Sequence, residues 1–209
     1  MLQRALGASL AHVGLALRTP EEFTLVWHRR ATRYGGWVWL GLAATAVLGT
    51  MTYGLTLGIH AGPQAMLRKA TLLTLAAGLS WAIPLPALYI LNSLAGSRLR
   101  ASTTLLAALV TTSWGGLALV ASVPINWFFS VAVPTLPHEL FGASAIRWIV
   151  SAVNVAVFLG VGVAMSDVFC RVVERLEPLR GRQPGWVLLL VGSIGLQLSY
   201  VFGLFQPGV

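Results

Sequence analysis

Asp167 is the one carboxylate set well inside a long apolar segment, and a carboxylate in such a place marks a proton or ion relay by default. It stands four residues before Arg171. At that spacing opposite charges pair on one helix face, so the sequence predicts a local ion pair near the end of its segment, with a relay as the alternative. Asn154 and Gln197 are uncharged polar residues deeper in the last two apolar segments. Both are expected to face other helices, where interhelical hydrogen bonds are worth roughly 0.6 to 2 kcal/mol; a polar pathway is the alternative. Pro84 and Pro86 interrupt the apolar run "SWAIPLPALYILNSLAG". Proline removes a helical hydrogen bond and frees carbonyls behind it. In a membrane the expected result is a kinked, packed helix, and the alternative is a binding site built at a broken helix. The hydroxyls of "TTSWGG" (111–116) and of Ser80 are the expected partners of the freed carbonyls.

Other reactive side chains are sparse. His12, His28, His60 and His138 all lie outside the middles of the apolar segments, which argues against a haem held by two membrane-embedded imidazoles. His60, His138 and Glu139 are expected on the same side of a membrane and are the only combination that suggests a metal, without a zinc-type spacing. Cys170 is the single cysteine, so no intramolecular disulfide forms, and a packed thiol is expected there. No phosphate-binding G-x-x-x-x-G-K-[ST], no H-E-x-x-H and no G-x-S-x-G occurs. The expectation is a protein that is not an enzyme and has no cofactor.

The elements that must position these residues are set by composition. Of 209 residues 56% are hydrophobic and 10% charged, with a mean hydropathy of +0.78, whereas soluble domains carry about 25% charged residues. Five segments, roughly 36–59, 70–95, 101–122, 146–170 and 185–205, are apolar over about the 20 residues a bilayer crossing needs. The net charge of +8 comes from arginines in short loops beside these segments and not from a basic face, so no nucleic-acid partner is expected. With the N-terminus inside, eleven of the fourteen basic residues fall on the inner side and only Arg68, Lys69 and Arg147 on the outer. The positive-inside rule then gives N-in and C-out.

Residues 1–34 read differently from the membrane region 35–209. Leu2, Leu6, Leu10, Val13 and Leu17 form one stripe at helical spacing, the pattern of an interfacial amphipathic helix, with a signal peptide as the alternative. "TPEEF" opens a second helix, with Thr19 and Glu22 at capping-box spacing. The pairs Gly54/Gly58 and "GVGVA" (160–164) suggest close helix packing in the first and fourth segments. The apolar stretch 123–144 is expected as an interfacial helix, or else a re-entrant one.

"LRTPEEF" ahead of the spans, with "LNSLAGSRLRASTTLLAALVTTSWGG" across the second and third, resembles the Yip-type (Ypt-interacting protein) membrane family and its bacterial relatives. The likeness covers residues 17 to 125. It implies a cytosolic N-terminus, five spans, an external C-terminus and a role in membrane organisation or trafficking. The charged extension of the fourth segment departs from that family's pattern. The sequence therefore reads as an all-α polytopic bundle of five transmembrane helices with amphipathic N-terminal helices, expected in the bacterial cytoplasmic membrane. Its expected role is non-enzymatic: to scaffold or organise a membrane complex, with the bilayer and either membrane proteins or further copies of itself as partners. The alternative is a subunit of a small-solute or ion transporter or channel with its path at the Pro84/Pro86 break.

Overall fold

A computed structural model describes residues 2–32, 34–94, 96–133, 143–178 and 186–205. Among them every regular element is helical: α1 Leu2–Arg18, α2 Pro20–His28, α3 Gly36–Leu57, α4 Pro63–Ala82, α5 Pro84–Leu94, α6 Ala101–Ala132, α7 Ala143–Leu176 and α8 Trp186–Val201. Apolar residues run all round the long helices, so burial of one face does not explain them. Many large apolar side chains, Leu48, Ile90, Phe128, Trp148 and Tyr200 among them, point outward, as in a bundle solvated by lipid.

Four helical segments are long and apolar enough to cross a bilayer: Gly36–Leu57, Pro63–Leu94, Ala101–Ala132 and Trp148–Leu176. The fifth expected span is shorter. Helix α8 has 16 residues, about 24 Å at 1.5 Å per residue, because the chain turns at Phe202–Phe205. Gly203 adopts φ 60°; its N–H bonds Tyr200 O at 3.0 Å, and Leu204 N–H bonds Ser199 O at 3.1 Å. This is the double bond of a Schellman stop, which a left-handed residue permits. The Lys69 ammonium of α4 donates to Gly203 O (2.8 Å) and Leu204 O (3.2 Å), placing a cation at the negative end of α8.

The helices close a ring in the order α3, α4, α8, α7, α6 and back to α3. Glycines set the tightest joints. A Cβ on Gly49 would overlap the Gly116 backbone where α3 crosses α6, and Cβ atoms on Gly54 and Gly58 would strike Ala70 and Met66 of α4. The "GVGVA" expectation fails: around Gly160 and Gly162 a Cβ would meet nothing within 4 Å. Helix α8 lies antiparallel to α4, with Gly195 beside Ser80 and the Gly203 turn beside Lys69.

Several boundaries differ from the sequence expectation. Helix α4 starts at Pro63, so Arg68 and Lys69 sit in the helix and not in a loop. Helix α6 continues through Pro124 to Ala132, making the first part of the 123–144 stretch an extension of the third segment; buried Asn126 and Ser130 tie it inward. Residues 134–142 of that stretch lie outside the described residues. Helix α1 packs on the bundle instead of resting on its apolar stripe alone: Val13 and Ala16 are buried against α3, close enough that a Cβ on Gly41 would reach Val13 Cγ2 at 2.9 Å, while Leu10 is exposed. The capping box does not form. The Thr19 hydroxyl donates back to Leu15 O at 3.1 Å, and Glu22 reaches across to α7.

Candidate functional site

At the end of the bundle that carries α2, charged side chains join three parts of the chain. Arg175 Nη2 donates to Glu22 Oε1 at 2.7 Å; Arg171 lies 3.6 Å from Glu21 and 3.3 Å from Asp167. The Arg98 backbone N–H donates to Glu177 at 2.7 Å, and the Arg100 guanidinium donates to His28 O at 2.7 Å. Asp167 thus meets Arg171 on its own helix, as the spacing predicts, and through Arg171 also approaches α2. The charged extension of α7 is the surface on which α2 docks. Each exposed pair contributes only about 0 to 1 kcal/mol, but together they fix α2 to α7 and to the α5–α6 turn. His28 is held below the ordinary imidazole value by burial, with Arg100 adding to the effect, and its Nδ1 is buried without a partner. Tyr34 stacks on Phe23 at 4.1 Å and its hydroxyl donates to Phe23 O; burial raises its pKa.

Toward the opposite end, a buried polar network links α3, α6 and α7. The Tyr53 hydroxyl donates to Asn154 Oδ1 at 3.0 Å, and Asn154 Nδ2 donates to Val150 O. Asn126 Nδ2 donates to the Thr56 hydroxyl, which in turn donates to Tyr53 O; Ser130 closes on Asn126 Oδ1. Buried amides and hydroxyls require partners of this kind, and here every bond runs within or between helices.

The proline pair breaks one helical column into α4 and α5. Ile83 still bonds Leu79 O at 3.0 Å, and Pro84 opens α5, so helix persists on both sides of a kink. Most of the expected carbonyl partners are engaged elsewhere, and the Thr111 hydroxyl is buried without a partner. Ser113 donates to Leu42 O and Leu109 O, Thr112 to Leu109 O, and Ser80 to Ala77 O. Pro84 is buried and Pro86 exposed.

Beside this break lies a half-open cavity of about 720 Å³ between the helices of the ring, with Trp81, Ala82 and Leu85 at its α4–α5 wall. Its other walls come from α3, α6, α7 and α8, and no charged residue lines it. Neither Pro84 nor Pro86, Asn154, Asp167 or Gln197 lines it either. Of the residues that the sequence marks for other reasons, Ser80, together with Thr112, Gly115 and Gly116 of "TTSWGG" and Gly162 of "GVGVA", lines the cavity. Gln197 does not face a neighbouring helix as expected; it sits on the exposed side of α8, because the buried positions of that helix are Val191, Gly195 and Ser199. What marks the cavity in the sequence is interior glycine: Gly78, Gly162 and Gly192 line it, and a Cβ on any of them would meet nothing within 4 Å.

Metal chemistry finds no support among the described residues, where no group of three His, Cys, Asp or Glu side chains converges. His12 packs edge-on to Tyr34; His138 and Glu139 lie outside the described residues. Cys170 packs against the core that α7 shares with Trp81 and Leu88. No family model, no curated protein and no solved structure matches the chain.

Proposed function

We propose that this chain is a non-enzymatic, five-span protein of the bacterial cytoplasmic membrane, N-in and C-out, that scaffolds or organises a membrane complex. The supporting observation is the use made of its polar side chains. Asn154, Asn126 and Lys69 each bind another part of the same bundle and Asp167 pairs with Arg171 one turn along its own helix, which is structural work, and the cavity between the helices has no charged lining. An ion or small-solute path at the Pro84/Pro86 break needs free polar groups along its length, whereas the hydroxyls of Thr50, Thr74, Ser80, Thr112, Ser166 and Ser193 in the cavity lining bond carbonyls of their own helices.

Helix α8 serves as the fifth span in this reading. Its far end meets Lys69 near the start of α4, while α7 ends against α2, so α8 runs between opposite ends of the bundle. Its short length is accommodated by local thinning of the bilayer. Eleven of fourteen basic residues lie on the inner side, the orientation the positive-inside rule prefers. The likeness of "LRTPEEF" and the α5–α6 turn to Yip-type proteins points the same way.

The test combines topology and partners. Reporters fused after Gly96 and Gly181 should read cytoplasmic and one after Val209 external; a cytoplasmic C-terminus overturns the five-span arrangement. Cross-linking in native membranes followed by mass spectrometry should return a reproducible complex, either with other membrane proteins or with further copies of the chain. Reconstituted vesicles should show no solute or proton flux. A flux that Asp167→Asn abolishes at normal expression would replace the scaffold with a carrier.

A further inference from the structure

We infer that the ring of helices holds a single-chain lipid with an uncharged oxygen headgroup in its central cavity, its headgroup hydrogen-bonded to Ser199. This goes beyond the organising role and rests only on the cavity and the membrane setting. Three observations carry it.

The first is shape. The cavity volume of about 720 Å³ falls within the range of small-molecule sites, about 300 to 1,000 Å³. On α6 its lining runs from Leu105 to Leu119, and on α8 from Leu189 to Ser199, about 15 to 21 Å at the helical rise. An apolar space of that length suits one extended hydrocarbon chain.

The second is that the space is kept open. Gly78 of α4, Gly162 of α7 and Gly192 of α8 all face it with room for a side chain. Glycine inside a helix is less favourable than alanine, and packed interiors rarely leave voids larger than a water. Three helices contribute a residue that leaves the space unfilled, and apolar walls do not hold water there.

The third is a waiting hydrogen-bonding group. The hydroxyls of Thr50, Thr74, Ser80, Thr112, Ser166 and Ser193 bond carbonyls of their own helices. Ser199 is 3% exposed, lines the cavity, and its Oγ has no partner. A buried hydroxyl without a partner is costly, and a ligand oxygen at this end of the cavity supplies one. With no charged residue in the lining, a carboxylate or phosphate headgroup would be desolvated without compensation. That selects an alcohol or ester oxygen.

The test is photolabelling of the full-length protein in nanodiscs, using a long-chain alcohol with a diazirine midway along its chain. Parallel arms use the matching carboxylate at pH 8 and a two-chain phosphatidylcholine. The alcohol should label cavity-facing residues of α4, α7 and α8, and the carboxylate should label them at least about tenfold less. The double variant Gly162→Leu/Gly192→Leu should cut cavity labelling about tenfold or more while native-gel migration is unchanged. Should that variant fail to assemble, Gly78→Leu is read in the same way. Ser199→Ala should weaken apparent alcohol affinity about threefold to tenfold, the value of one neutral hydrogen bond. Labelling indifferent to both filling variants, or equal cavity labelling by the two-chain lipid, overturns the site. An affinity unchanged by Ser199→Ala overturns the headgroup assignment.

Discussion

Arg30 closes α2 with φ 58°, the left-handed conformation a Schellman stop needs: its N–H bonds Trp27 O and Ala31 N–H bonds Val26 O. The equivalent positions after α5 and α8 are Gly96 and Gly203. A side chain in that region carries a steric penalty, so Arg30→Gly should stabilise the protein by about 0.5 to 1 kcal/mol, read as a higher melting temperature in detergent. His28 offers a second test at the same end of this short helix. Its imidazole is neutral in the fold because burial and the nearby Arg100 oppose protonation. With the folded pKa below the ordinary value of 6.5, the unfolded chain takes up a proton first as pH falls. The contribution of His28 is therefore complete above pH 6.5 and is lost as pH drops through the folded pKa. Thermal stability should decline below pH 6.5 in the native protein, and His28→Gln should flatten that part of the profile. An unchanged slope in the variant would show that another group is responsible.

At the scale of the element, the proline pair decides the direction of the second membrane helix. Replacing both Pro84 and Pro86 by alanine restores two backbone donors and favours one straight column from Pro63 to Leu94. Leu88, fully buried in the core with Trp81 and Phe169, would then leave its site. The expected outcome is a net loss of stability of about 2 to 5 kcal/mol, comparable to emptying a large buried apolar position, seen as a lower melting temperature and a shifted native-gel band. A double variant that melts at or above the parent would show the kink to be dispensable for packing. The crossing of α3 and α6 is the second such element. Gly49→Leu places a side chain where the Gly116 backbone already lies. Neither backbone can yield without separating two spans, and overpacking of this kind costs about 1 to 3 kcal/mol or more. Gly162→Leu, facing open space, should by contrast leave assembly intact.

For the whole molecule, Lys69 is the link that registers the last helix against the second. It is buried, and its ammonium caps the end of α8 through two carbonyls. Hydrogen bonds from a charged donor are worth about 1.5 to 3 kcal/mol, and without them those carbonyls lose their cation. Lys69→Met should lower the melting temperature and raise protease sensitivity after residue 178, whereas Arg68→Met, at the neighbouring position, should do little. Equal effects of the two substitutions would argue against a specific cap. The ring depends on this contact, because α8 is the element that joins α4 to α7 and completes the wall of the cavity.

The membrane character, the helical class, the proline break and the pairing of Asp167 with Arg171 were all legible in the sequence, for one reason. Each depends on spacing or composition over a few turns of one helix: apolar length, a missing backbone donor, an i,i+4 interval. The glycines of the first span were legible too, since Gly54 and Gly58 lie on one face. Which face a residue presents to a neighbour is a different kind of fact. Gly162 and Gly54 are both glycines inside long apolar helices, yet one borders open space and the other touches Ala70. Asn154 and Gln197 are both amide-type residues in apolar helices, yet one receives the Tyr53 hydroxyl and the other faces outward. The exchange of Glu22 from a capping box to Arg175, the cap that Lys69 places on α8, and the cavity with Ser199 in its wall all join residues far apart in the chain. Those partnerships follow from the rotation and order of the helices around the ring, which no single helix encodes, and only the tertiary structure decided them.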